Sequence, residues 1–213
     1  MGAAVSERII LGPDCVAEGA AWLGARDPRF DRALAVTGPL PTRLREDGFS
    51  RLLGAIISQQ VSVASADAIW ARLEAAGLTG LAAVRAAGED DLRQCGLSRQ
   101  KASYALALAH AGIDFATLRQ RPTGEVISTL TEVKGIGVWT AEIYAMFSLG
   151  RADVFAAGDL ALQESARILF DLPERPKEKA LRAMAEDWSP WRAVAARLLW
   201  AYYHVEKNRE GLR

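Results

Sequence analysis

Apolar residues recur at helical spacing almost throughout this chain, and few stretches alternate as a half-buried strand would. Asp14 to Leu23 reads as a short, alanine-rich helix. After Phe49, residues Leu52, Leu53, Ile56 and Ile57 fall on one helical face, and the pattern breaks at Ser58-Gln59-Gln60. Ser62 is placed to cap the next helix, where Ala66, Ile69, Trp70 and Leu73 share a side and Gly77 supplies the stop. Gly96 divides a short acidic segment from a helix running from about Arg99 to His110. Further helices are predicted over 123–130 and 138–149, with Glu132-Val133-Lys134-Gly135-Ile136-Gly137 between them. Another follows Asp159, passes through Ile168 to Phe170 and stops near Pro173. Ser189-Pro190 has the form of a capping residue followed by proline at the first helical position, so the last long helix is expected to begin there and reach about Glu206. The residues before Phe49 read as helices completing one lobe. No repeat, low-complexity tract or flexible linker interrupts this order, so the chain is expected to form one all-α domain over 1–213 with two lobes.

Composition narrows the classes. With 213 residues, 50% of them hydrophobic, the chain can build a sizeable core, and its composition argues against disorder. Its apolar runs are too short to cross a bilayer, and no secretory signal pattern opens the chain, so a cytoplasmic protein without membrane contact is expected. Two cysteines, Cys15 and Cys95, cannot supply the four thiolates of an iron-sulfur cluster, and they make no zinc motif with His110 and His204. Both read as small apolar residues of the interior. The balance of 26 basic and 26 acidic residues argues against a protein that coats nucleic acid by net charge, but leaves room for a local basic face.

The segment Leu130 to Ala141 carries more information. Two glycines flanking Ile136 permit a tight turn with outward amides, while the isoleucine packs between the two helices. Exposed N–H groups at the start of the second helix would meet a phosphate oxygen without a side chain, gripping one backbone position and reading no base. An ordinary helix corner with glycines for close packing explains the turn alone equally well. Beyond it, Arg151 to Asp159 forms a loop with two acids, and Asp159 stands where the next helix begins. A plain N-cap is the simpler role for that position.

Taken in order, Ile57-Ser58-Gln59-Gln60-Val61-Ser62, Gly96-Leu97-Ser98 followed by Lys101, Lys134 through Ala141, and Asp153-Val154-Phe155 through Asp159 resemble the DNA-3-methyladenine glycosylase II family, in the helix-hairpin-helix glycosylase superfamily. The resemblance covers roughly residues 49–203. It implies a bilobed helix-hairpin-helix fold with its active site in the cleft between lobes, in a short form lacking the extra N-terminal sheet domain of longer members. It also implies an enzyme that hydrolyses the bond between an alkylated purine and its sugar in duplex DNA, 3-methyladenine first and 7-methylguanine second, after flipping the base. The family's catalytic aspartate falls on Asp159, whose carboxylate would stabilise positive charge growing on the sugar. Asp153 would support the loop by bonding nearby backbone amides. Trp139 and Trp200, with Ile143 where some relatives carry an aromatic, fall in or beside the base pocket, where a flat ring suits a cationic purine. Gln60 falls on the wedge position, with Gln59 beside it as support, and Lys134, Gly135, Ile136, Gly137 and Thr140 on the DNA backbone contact.

In lyase-capable relatives the place of Trp139 holds a lysine that forms a Schiff base. Tryptophan cannot, so the resemblance implies a monofunctional enzyme that leaves an abasic site. It implies no cofactor, no obligate protein partner and a monomer. A cation held by hairpin carbonyls remains open, although the side chains offer no metal site. Two other functions also remain open at this point: a non-enzymatic hairpin DNA-binding module, and a monofunctional glycosylase for mismatched, deaminated or oxidised bases.

Overall fold

The structure, a computed structural model, describes residues 7–210. Among them, regular structure is helical apart from one isolated antiparallel bridge between Ile9 and Arg151. The chain divides into two compact units, one built from the residues up to 45 together with those from 145 onward, the other from residues 46–144.

Helices α1 (Pro13–Arg26) and α2 (Pro28–Thr37) open the first unit. Each carries proline in its first turn, where an N–H would lack a helical partner in any case, and the Asp27 carboxylate caps α2 by accepting from the Arg29 amide at 2.9 Å. The second unit holds α3 (Phe49–Ser58), α4 (Val63–Ala75), α5 (Leu81–Ala86), α6 (Glu89–Gln94), α7 (Arg99–His110), α8 (Thr123–Thr131) and most of α9 (Val138–Phe147). The first unit resumes with α10 (Leu160–Leu169), α11 (Glu178–Met184) and α12 (Arg192–Glu210).

In the second unit α7 is the hub, with α3, α5 and α6 against it and α4 against α3. The α3 face anticipated from spacing, Leu52, Leu53, Ile56 and Ile57, is buried, and so are Ala102, Ala105, Leu108 and Ala109 of α7. Small residues on α7 let its neighbours approach closely. Ser62 and Ser98 cap α4 and α7 by accepting from the amides of Ser65 and Lys101. Gly77 and Gly96 follow their helices at positive φ.

In the first unit α12 packs against α1, α2 and α10. Trp191, Val194, Leu198 and Leu199 are buried there with Leu23 and Phe30. At Gly19 a Cβ would come within 2.7 Å of both Trp191 and Val194 side-chain atoms, so α1 requires a residue without one.

The start of α12 differs from the sequence expectation. The helix begins at Arg192, and Ser189 does not cap it: the Ser189 hydroxyl donates to the Asp153 carboxylate at 2.9 Å instead. The charged acceptor is the stronger partner for the hydroxyl. The helix predicted over 138–149 ends at Phe147, and the chain reverses through Gly150 at φ +71°. Cys95 is buried as anticipated, whereas Cys15 is half-buried. Among the described residues no helix is long and apolar enough to cross a membrane, and no group of three His, Cys, Asp or Glu side chains could hold a metal ion.

Candidate functional site

The loop that delivers Asp159 is tied down along its length. Ahead of it, the Ile10 amide donates to the Gly150 carbonyl at 2.7 Å and the Ala152 amide to the Arg8 carbonyl at 3.0 Å. Asp153 then accepts Arg192 Nε at 2.6 Å on one oxygen, and Arg192 Nη2 and the Ser189 hydroxyl, each at 2.9 Å, on the other. Its support therefore comes mainly from side chains at the foot of α12, joined by the Arg192 amide, and not from amides of its own loop. Burial pushes the Asp153 carboxyl upward, but these bonds and the Arg192 charge outweigh it and hold the group below the ordinary 3.8. Farther on, the Gln163 side chain donates to the Ala157 carbonyl at 2.9 Å, and the Asp159 amide to the Ala156 carbonyl at 3.0 Å.

Asp159 is the N-cap of α10. Its Oδ1 accepts from the amides of Ala161 at 2.9 Å and Leu162 at 3.1 Å, and from the Trp200 indole Nε1 at 3.2 Å. The helix start that any aspartate could cap also fixes this carboxylate in place. The Trp200 indole is fixed in turn. Its ring lies 5.8 Å from that of Phe147, and the Arg197 guanidinium sits 4.7 Å from the other ring, Phe147. Arg197 is 1% exposed, with its donors on the carbonyls of Thr42 and Ala193. Burial, aided by the nearby charge of Arg43, pushes its pKa down to about 10.

The hairpin belongs to the other unit. Gly135 takes φ +96°, and a Cβ there would also overlap the ring of Tyr104 on α7, so backbone conformation and close approach both demand glycine. Ile136 is buried, and its amide closes the turn onto Val133 at 3.0 Å. Lys134 and Gly137 are exposed. Thr140 is buried.

Gln59 and Gln60 terminate α3 beside this turn. Gln59 Nε2 donates to the Gly135 carbonyl at 2.9 Å, while Gln60 is exposed and held at φ +55°, a conformation that costs a non-glycine residue about 1–2 kcal/mol. From α7, Lys101 Nζ donates to the Ile57 carbonyl at 2.6 Å. Trp139, 46% exposed, and Ile143 line a cavity of about 230 Å³ together with Arg51, Leu52, Ser58 and Tyr144. The predicted pocket residues are thus Trp139 and Ile143 in one unit and Trp200, on Asp159, in the other.

Sequence reasoning passed over several contributors. Arg192 and Ser189 looked like an ordinary helix start, and nothing in their spacing pointed to Asp153. Tyr104 gave no signal without its neighbour Gly135.

Residues 53–190 match the HhH-GPD superfamily of base excision DNA repair proteins. DNA-3-methyladenine glycosylase 1 of Schizosaccharomyces pombe is 30% identical over 190 residues, covering 84% of this chain and 83% of that protein. Among solved structures, the DNA-3-methyladenine glycosidase of Bacillus halodurans superposes with a TM-score of 0.81 at 30% identity, covering 94% of each chain. The Schizosaccharomyces pombe 3-methyladenine DNA glycosylase in complex with abasic DNA superposes at 0.72 with 29% identity, covering 86% of this chain and 95% of that one. Against several other curated relatives the chain spans only about half of their length. The chain belongs to the HhH-GPD superfamily of base excision DNA repair proteins, in the branch of the DNA-3-methyladenine glycosylases.

Proposed function

We propose that this DNA glycosylase acts alone on N3- and N7-alkylated purines in duplex DNA, 3-methyladenine before 7-methylguanine, and leaves an abasic site without cutting the strand. The observation that carries the reading is the Asp159 carboxylate, oriented at the start of α10 by two backbone amides and the Trp200 indole. Such a group stabilises positive charge on a sugar as its base departs.

An alkylated purine of this class already carries positive charge, and its bond to C1′ is weakened accordingly. As that bond breaks, its electron pair moves to the base nitrogen and the base leaves neutral, needing no strong acid. Water adds to C1′ and loses its proton to the carboxylate or the surrounding solvent. Water is the only co-reactant this step requires. Trp139 has no amine to form a Schiff base with the sugar, which supports hydrolysis without lyase chemistry.

The remaining parts suit delivery of the base. Lys134 and the amides at the start of α9 meet a phosphate, and the exposed Gln60 fills the gap left when the base is flipped, at a cost of a few kcal/mol of unstacking. Trp139 and Trp200 offer flat, electron-rich faces to a cationic ring. The similarity to an enzyme solved with abasic DNA supports duplex DNA as the partner.

Release of free base from methylated duplex DNA, followed by chromatography, tests this. Wild type is expected to release 3-methyladenine, and Asp159→Asn to lose at least about a hundredfold in rate while still binding DNA. Binding without release by a folded wild type would favour a non-enzymatic module. Release only from deaminated, mismatched or oxidised duplexes would replace the substrate class.

A further inference from the structure

We infer that Lys101 is a positioning residue: with Tyr104 and Gln59 it locks the Gln60 turn and the hairpin into a single block. The inference rests on the reading of Gln60 as the wedge and the hairpin as the phosphate grip, and it adds residues that this reading leaves without a role.

The chain of contacts closes on itself within one unit. The last carbonyls of α3 lack helical partners, and the Lys101 ammonium takes the one on Ile57 at 2.6 Å, where positive charge also complements the helix end. Two residues later Gln59 reaches the Gly135 carbonyl at 2.9 Å, and a Cβ on Gly135 would overlap the Tyr104 ring. Tyr104 lies one turn after Lys101 on α7, so both residues share a face, and Gln100 fixes the Tyr104 hydroxyl at 2.6 Å. The path runs from α7 to Ile57, Gln59 and Gly135, then back through Tyr104 to α7.

Lys101 does not serve as an ordinary surface charge. Among the described residues no carboxylate pairs with it, the hydrogen bond of its ammonium is to a backbone carbonyl, and burial lowers its pKa below the usual lysine value. Gln60 follows at positive φ, so the turn depends on its neighbours for its shape. A wedge works only at a set offset from the phosphate that anchors the strand, since a displacement of about 1 Å can reduce a rate a hundredfold.

Hydrogen exchange on Lys101→Met reads the block directly. Amides of 58–61 and 133–136 are both expected to exchange at least about tenfold faster, with those of α5 and α6 unchanged, and Lys101→Arg, which can still donate to the carbonyl, is expected to restore protection. Faster exchange at 58–61 alone, or at neither segment, overturns the inference. In single-turnover base release, Lys101→Met is expected to lose about 10- to 100-fold, and the double variant with Gln60→Ala to be no slower than Gln60→Ala alone. Multiplying losses, or a salt dependence of DNA binding shallower by about one, would make Lys101 an independent phosphate contact and sink the proposal. If wild type releases no base, the functional reading fails while exchange still decides whether the block exists.

Discussion

Three N–H donors converge on Oδ1 of Asp159, and only the Trp200 indole among them can be removed without touching the backbone. Trp200→Phe keeps a ring against Phe147 and deletes the donor. A hydrogen bond to a charged group contributes about 1.5–3 kcal/mol, so base release is expected to fall roughly 10- to 100-fold with binding of undamaged duplex unchanged. Equal losses in release and binding would show that Trp200 serves packing and not the carboxylate. At this scale the sequence named candidate residues but not their partners. Asp159 and Trp200 came from the family resemblance, and the two hairpin glycines from residue type and order. The tie between Trp200 and Asp159 joins positions 41 apart, and no local pattern encodes it.

The elements that aim the site are joined by contacts of the same long-range kind. The half-buried pair of Asp153 and Arg192 fastens the approach to Asp159 onto the first turn of α12, and Ser189 leaves its anticipated capping role to join it. The Asp153 carboxyl lies lower in the folded chain than its unfolded value near 3.9, so its contribution is complete above that value and fades as pH falls through the folded one. Asp153→Asn is therefore expected to lower stability at pH 7 by about 1–3 kcal/mol, with the gap to wild type closing in denaturant titrations as pH falls below the unfolded value. A gap independent of pH would mean that shape, and not charge, fastens the loop. Packing gives a second test: Gly19→Ala pushes a methyl into Trp191 and Val194 and is expected to cost about 1–3 kcal/mol, seen as a lower Tm. Helix periodicity exposed the buried face of α3 because that helix is amphipathic along its length. It gave no specific warning of α5 or α11, which are 6 and 7 residues long and too short to show a period.

For the whole molecule, the decisive property is a charge balance of 26 against 26. A chain with no net charge cannot draw DNA by its total field, so its affinity must come from a few contacts placed by the fold. In the functional reading, much of the grip comes from neutral amides at a helix start, which hold a phosphate while releasing fewer counterions than lysine or arginine would. Binding of undamaged duplex should therefore depend weakly on salt, with a slope of log K against log salt of about −2 to −4. Lys134, exposed on the hairpin, is the cation placed to contribute to that slope. Lys134→Ala is expected to make it shallower by about one and to weaken all duplex sequences alike, measured by fluorescence anisotropy across a salt series. A wild-type slope steeper than about −6 would instead show a broad basic face at work, and the hairpin would lose its place as the principal anchor.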